Sequence, residues 1–516
     1  MKHDDCAVQQ NTNRLDEMQR ENDALRHENG QLRQQLQWLI EQVKLGRHKQ
    51  FGASSEQTSP GQLQLHMFNE AEIYANTTFA EPEIEQVKAH YRKKPKTAED
   101  RLPPDLPVEI VEHELPSDKQ TCSCCGHGMH VMGHETREEL KLVPAKAVIV
   151  RHIRSVYACR HCEQHSDSVP IVKADMPVPV IKGGFASPEA IAYIAVQKFV
   201  MGSPLYRQEH EWNRQDIQLS RQTMSNWLVK ASNDWLEPIY AELKRRLLQH
   251  GVLHADETTL QVLHESGKPA QSKSYMWLYR TSGITDRHIV LYDYKPDRKA
   301  AHPEAFLKDF TGYLHADGYD GYHRLFESIT VVGCWAHLRR KFDELLKTLK
   351  PGEQTGSDAV IGIAYCDRLF HIEKRLASMP PEQRKMERDR LSRPVVDEFY
   401  AWVESAYRTA MPKTLIGRAL HYAKSQKRYL LRYLLDGRLE ISNNRAERSI
   451  KPFVIGRKNW LFANTPNGAR ASAVYYSLIE TAKENGIDPY GYLAKVFRAA
   501  PNLGTGEIID DLLPWN

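Results

Sequence analysis

The chain has 516 residues, 41% hydrophobic and 26% charged, which is enough apolar material for packed cores and unlike the composition of a disordered or fibrous protein. Because a single core stops growing near about 250–300 residues, three or four modules are expected. The formal net charge of +4 is too small to indicate a partner, and every apolar stretch breaks off before the roughly 18 residues of a membrane span, so the chain reads as cytosolic with no membrane partner.

The first predicted element is a coiled-coil helix over residues 10–46, in which Leu15, Leu36 and Val43 share one heptad position with Asn22 and Asn29, and Met18, Leu25, Leu32 and Leu39 share the other. A 3.5-residue period with Leu at d and Asn at a predicts a parallel homodimer, because mispaired asparagines are costly; an amphipathic helix packed on its own domain is the alternative. Residues 47–116 read as FGASSEQ and a polar stretch ahead of a Pro-rich linker that includes the basic run His90–Lys96. Within residues 117–168, Cys122/Cys125 and Cys159/Cys162 form two Cys-x-x-Cys pairs. That spacing suits a structural Zn²⁺ held by four thiolates in a unit too small for a large core. Cys124, His127, His130, His161 and His165 are rival ligands, and the alternating sequence Leu140–Val156 predicts a hairpin between the pairs.

From Ser187 helices take over through residue 248, with Ser187 as a cap and Pro188 in the first turn. Leu219–Leu228 is either the second helix of a helix-turn-helix or part of a buried helical hairpin. From Gly251 the texture changes to the apolar runs GVLHAD, SYMWLYRT, RHIVLYDY, GYLHAD and SITVVGCWAHL, with one helix before Phe310. They predict a mixed sheet in an α/β domain. Residues 340–440 read as helical, and Asn485-Gly486 with Pro489 marks a turn before a last helix at Tyr490–Ala499.

The tetrapeptide Leu-His-Ala-Asp occurs twice, ending on Asp256 and on Asp317, each time at the end of a predicted strand. Two aspartates on corresponding ends of neighbouring strands offer hard oxygen ligands to divalent cations, and a two-metal site can hold both the attacking and the leaving oxygen of an in-line phosphoryl displacement. Either Asp alone also suits a turn. Glu257 and Asp320 compete with them, although adjacent strand residues point to opposite sides. Glu447 is the candidate third carboxylate, on a helix that Ser442 or Asn443 would cap and that carries Asn444, Glu447 and Lys451 on one face. An ordinary surface ion pair is its alternative. His337 and Arg340, with Arg445, Arg448, Lys451, Arg457 and Lys458, are candidate DNA contacts, because their basic clusters flank the proposed acids. Cys334 and His337 also form a Cys-x-x-His pair, but no second pair stands at metal spacing, so packing of Cys334 and a phosphate-contacting role for His337 are preferred.

LHADET, YLHADGYDGY, CWAHLRRKF and EISNNRAERSIKPFVIGRKNWLF together resemble the transposases of the insertion-sequence-66 family. The resemblance spans nearly the whole chain, from the coiled coil and FGASSEQ through the paired cysteines to Gly491. It implies a multidomain α+β chain with a coiled coil, a helical DNA-binding segment ahead of the linker within residues 47–116, a zinc-finger-like domain, and a ribonuclease-H-like catalytic core over residues 180–460 that contains the helical insertion, followed by a C-terminal segment over 461–516. The family's Asp-Asp-Glu triad falls on Asp256, Asp317 and Glu447, with Mg²⁺ or Mn²⁺ as the working ion. The implied activity is binding of a mobile element's terminal inverted repeats, strand cleavage and transfer to target DNA, in the bacterial cytoplasm and at the nucleoid when bound, with element-encoded accessory proteins as possible partners. A ribonuclease-H-like nuclease and a non-catalytic DNA-binding regulator are the alternatives.

Overall fold

The computed structural model describes residues 4–51, 147–158, 171–503 and 509–516. The chain divides into two units, one formed by Met1–Ala75 with Pro177–Asn516 and the other by Asn76–Met176. In the smaller unit, β1 (Val156–Ala158) pairs antiparallel with β2 (Ile171–Lys173). The hairpin expected over Leu140–Val156 is absent from its described part, since residues 147–155 carry no strand. Cys122, Cys125, Cys159 and Cys162 themselves lie outside the described residues.

The larger unit begins with α1 (Asp4–Phe51), one continuous helix. The predicted seam residues Met18, Leu25, Leu32, Leu36, Leu39 and Val43 are all exposed on it. Near its end Glu41 is buried and accepts a hydrogen bond from the Leu415 N–H at 2.7 Å. Four helices lead into the sheet: α2 (Pro188–Phe199), α3 (Leu205–Arg214), α4 (Arg221–Ala231) and α5 (Glu237–Leu247). Ser187 caps α2 by accepting from the Ala190 N–H, with Pro188 in the first turn, as the sequence predicts. In α4 the apolar face of Met224, Trp227 and Leu228 enters the common core.

Five strands follow: β3 (Val252–Gln261), β4 (Lys273–Thr281), β5 (Val290–Lys295), β6 (Gly312–His315) and β7 (Ile329–Val332). Their order is β5-β4-β3-β6-β7, with β3, β4 and β5 antiparallel and β6 and β7 parallel to β3. The antiparallel strands need only short links, whereas the parallel β6 is reached by a crossover that contains α6 (Ala301–Phe306). Met276, Trp277, Leu278 and Tyr279 of β4 are all fully buried, the continuous apolar run expected of a strand covered on both faces.

After β7 the chain leaves the sheet for a helical insertion that includes α7 (Trp335–Leu346), α8 (Asp358–Leu376), α9 (Arg393–Thr409) and α10 (Leu415–Ser425). Its core joins Trp335, Phe342, Phe399 and Leu420 to Val332 at the sheet edge. The chain returns in α11 (Asn444–Trp460), and α12 (Pro466–Glu484) then packs on β5. The hydroxyls of Ser477 and Thr481 accept from the Tyr292 and Val290 N–H groups at 2.7 and 3.0 Å, which satisfies backbone donors along the edge of the sheet. Gly486, at φ +75°, turns the chain into α13 (Pro489–Ala499). No described helix is long and apolar enough to cross a membrane.

Candidate active site

The two Leu-His-Ala-Asp segments lie side by side in register. Leu253 pairs with Leu314 and His254 with His315, the last pair of the ladder, and Asp256 and Asp317 follow at the same offset two residues on. The sequence placed both aspartates at strand ends, but β3 runs on to Gln261 as the partner of β4 while β6 stops at His315. Asp256 therefore sits in mid-strand, where β3 loses one neighbour. Asp317 follows the carboxyl end of β6, the kind of position where open α/β sheets take ligands. Asp317 accepts from the Tyr319 N–H at 2.9 Å, and Asp256 from the Glu257 N–H at 2.8 Å.

Behind the aspartates the two histidines stack, with ring centroids 4.4 Å apart and planes 13° from parallel. Burial pushes His254 down to about 4, and burial together with the His254 ring pushes His315 well below the usual histidine range. Both rings are thus neutral near pH 7. The His315 Nε2 accepts from the Glu440 N–H at 3.2 Å, and the His254 Nδ1 lies 3.0 Å from the Asn443 Oδ1.

Asn443 ties the site together. It occupies the N-cap position of α11, yet its side chain makes no capping bond, contrary to the capping role read from sequence. Its Nδ2 donates instead to the Ala255 carbonyl at 2.7 Å, beyond the last β3–β6 pair. Its own N–H donates to the Cys334 Sγ at 3.1 Å, and its carbonyl accepts from the Glu447 N–H at 3.2 Å. One buried residue so links the strand of Asp256, the start of α7 and the first turn of α11. Asn443→Ala is expected to leave the Ala255 carbonyl and the His254 ring without partners, costing about 1–3 kcal/mol of stability. It should also lower any activity that needs Glu447 beside Asp256 by on the order of 100-fold. Thermal melts and turnover on one protein sample check both; unchanged turnover would show that Asn443 is structural only.

Glu447, one turn into α11, is 8% exposed. Its carboxylate meets the Arg340 Nη2 at 3.1 Å and the His337 Nδ1 at 3.5 Å. Of the basic neighbours Arg445, Arg448 and Lys451 offered by the sequence as ion-pair partners, Arg445 binds Glu440 at 2.7 Å. Burial opposes a charge on His337, but the Cys334 sulfur and the Glu447 carboxylate outweigh it and push the ring up to about 9. Burial, then the carboxylates of Glu257, Asp317 and Glu447, raise Asp256 well above the usual range, with His337 opposing.

Strand alternation lets at most one of Asp256 and Glu257 face the site; the Glu257 carboxylate accepts from the Tyr322 hydroxyl at 2.6 Å and the Arg298 Nε at 2.8 Å. It is nevertheless buried close enough to Asp317 to be raised by that charge as well as by burial. Asp320 is exposed and paired with the Arg324 Nε at 2.9 Å. Sequence reasoning did not single out His254, His315, Glu440 or Arg298. The repeated His within the repeated tetrapeptide was the available signal for the first two. On α11, Glu447, Lys451 and Lys458 fall along one helical face, with Lys458 exposed. Arg457 reaches back to the Thr259 and Thr258 hydroxyls at 3.0 and 3.3 Å.

The family model of the Transposase IS66 family matches residues 183–471, and that of the zinc-finger binding domain of transposase IS66 matches residues 119–163, the stretch that holds both cysteine pairs. The IS66 C-terminal element matches residues 477–515, and the Transposase C of IS166 homeodomain model matches residues 38–111. Among curated proteins, the uncharacterized protein y4qI of Sinorhizobium fredii is 31% identical over 79% of this chain and 75% of its own length. The uncharacterized protein y4jD of the same organism is 31% identical over 80% of this chain and 81% of its own.

Proposed function

The chain belongs to the IS66 transposase family, and on that premise we propose that it is a DNA transposase that binds the terminal inverted repeats of a mobile element and cuts and joins DNA strands through Asp256, Asp317 and Glu447. The observation that carries this reading is the in-register pairing of the twin Leu-His-Ala-Asp strands, with Asn443 bringing the helix of Glu447 against the same strand. The strand order β5-β4-β3-β6-β7, three antiparallel strands continued by two parallel ones, supports a ribonuclease-H-like core.

The donors fit Mg²⁺ or Mn²⁺, since carboxylates are hard oxygen ligands. The charge balance also fits, because Glu257, Asp317 and Glu447 all disfavour the ionised Asp256 carboxyl despite His337, with Arg298 on Glu257 and Arg340 on Glu447, so a cation would relieve their repulsion. When bound, such ions polarise a phosphate and stabilise the attacking and departing oxygens of an in-line transfer. The protein's own side chains hold the DNA. His337 and Arg340 stand at the acid cluster, while Arg445, Arg448, Lys451, Arg457 and Lys458 supply positive charge along α11 for backbone phosphates. Four thiolates from Cys122, Cys125, Cys159 and Cys162 would hold a structural Zn²⁺, on their spacing and the zinc-finger match. The exposed Leu seam of α1 supports a homodimer that pairs two element ends.

The test is to incubate the purified full-length protein with duplexes ending in the element's repeats, a target plasmid and Mg²⁺, and to map the strands. Cleaved ends joined to the plasmid are expected, and EDTA should abolish both steps. Cleavage that persists in EDTA would remove the metal from the account; cleavage without any joined product would make the protein a nuclease.

A further inference from the structure

Among the described residues, the acid, thiol and imidazole groups tight enough for a metal are Cys334, His337 and Glu447, whose ligand atoms all lie within 4.8 Å of one another. Asp256, Asp317 and Glu447 do not form so close a group there. Cys334 occupies the N-cap position of α7 with an extended backbone, and His337, three residues on, lies on the same side of the helix. Glu447 arrives from α11. The sequence offered only the Cys-x-x-His pair; the fold adds a third donor more than a hundred residues away.

The donor atoms are poorly used by the protein itself. The Glu447 Oε1 and the His337 Nδ1 are buried and face each other at 3.5 Å, with no hydrogen bond of normal geometry to either, and the Glu447 side chain is 10% exposed. Arg340 takes the other oxygen, Oε2, at 3.1 Å. The Asn443 N–H points at the Cys334 Sγ, a bond of the kind that supports a metal thiolate from its outer shell. One thiolate, one imidazole and one carboxylate make a three-ligand set with a free fourth position, suited to Zn²⁺ and foreign to Mg²⁺.

We propose that Cys334, His337 and Glu447 form a transition-metal site that shares Glu447 with the carboxylate set, so that Zn²⁺ held there and Mg²⁺ held by the three acids exclude one another. A borderline-soft ion binds sulfur and nitrogen donors far more tightly than Mg²⁺ does, so low Zn²⁺ holds Glu447 away from Asp256 and Asp317. The exclusion half of this inference rests on the role given to Glu447 above; the binding half does not.

Two measurements on the full-length protein decide it. Zinc is counted by elemental analysis after equilibration in a zinc buffer, and Co²⁺ titration is followed through its thiolate charge-transfer band. The wild type should hold one equivalent more of either ion than Cys334→Ser, and Glu447→Gln should weaken that equivalent by more than about tenfold, the loss that follows removal of even an outer-shell partner. Equal equivalents in wild type and Cys334→Ser overturn the site; if Cys334→Ser fails to fold by circular dichroism, His337→Gln carries the same comparison. Strand cleavage in Mg²⁺ is then compared with and without Zn²⁺ within each protein. A drop of about tenfold or more in the wild type and of less than about twofold in Cys334→Ser is expected, and equal sensitivity overturns the exclusion. Should no protein cleave DNA under any condition, the transposase reading fails, while the metal count still decides the site.

Discussion

Asp256→Asn or Asp317→Asn should lower Mg²⁺-dependent strand cleavage by roughly 1,000-fold or more, and Asp256→Asn should at the same time raise the melting temperature of the metal-free protein. The first effect follows from the several kcal/mol of charge stabilisation that a bound ion gives a phosphoryl transfer, at 1.36 kcal/mol per factor of ten. The second follows from the pocket, where burial and the charges of Glu257, Asp317 and Glu447 disfavour the ionised form of Asp256. Asparagine keeps the shape and removes the charge, a gain of about 1–2 kcal/mol of the kind often recovered when a functional residue is neutralised. Because the folded carboxyl titrates above its unfolded value, the stability of this group is fully present below the unfolded pKa and is lost as pH rises through the folded one. Wild type and Asp256→Asn should thus melt together near pH 4 and separate as pH rises, with EDTA present throughout. A gap independent of pH would show that Asp256 carries no penalty from its neighbours.

That pairing of a functional loss with a structural gain was half legible in the sequence. The twin tetrapeptides announced themselves because equal segments on neighbouring parallel strands can lie in register, and the apolar runs around them marked all five strands. What the pattern could not give was where β3 ends. HADETT turns polar after Ala255, which resembles a strand terminus, but pairing with β4 carries the strand on regardless of polarity, because ladder hydrogen bonds belong to the backbone. Asn443 shows a second limit. An Asn before a helix reads locally as a cap, and nothing nearby in sequence shows that its amide is taken by Ala255. The same holds for Glu447, whose basic neighbours Arg445, Arg448 and Lys451 suggested an ion pair, while its carboxylate meets Arg340 and His337 on α7, the first helix of the insertion. Periodicity reports which face of an element is buried; it does not name what lies across the gap. In α1 the heptads were plain, but the capping of Leu415 by Glu41 was not, since a buried Glu in a charged helix has no sequence signature.

Arg388 is fully buried in the insertion and holds the segment that leads back to the site, and Arg388→Ala is expected to cost about 3–5 kcal/mol, the toll of breaking a buried pair from one side. Arg388 begins a π-helical turn, Arg388–Ser392, and its Nε and Nη2 bind the two Glu373 oxygens at 2.8 and 2.6 Å. Its Nη1 donates to the Tyr433 and Asp436 carbonyls at 2.8 and 2.9 Å, and Nη2 also donates to the Leu439 carbonyl at 2.7 Å. Those carbonyls line the segment that carries the chain out of the insertion and into Glu440, whose N–H meets His315 and whose carboxylate meets Arg445. Alanine leaves the carbonyls and the Glu373 carboxylate without their partner, and lysine, a point charge on a flexible stem, cannot span them. Arg388→Lys should therefore melt nearer to Arg388→Ala than to the wild type. Slack introduced at Leu439 passes along the chain to Asn443 and Glu447, so the Mg²⁺ concentration for half-maximal cleavage should rise in both variants at temperatures where they remain folded. Joining Arg388→Met to Glu373→Leu separates the two effects: burying apolar groups in place of the ion pair recovers stability, but no side chain at position 388 then ties the three carbonyls together, and the raised Mg²⁺ requirement should persist. If the double variant regains both, Arg388 serves only the core of the insertion, and the path from that core to Glu447 must run elsewhere.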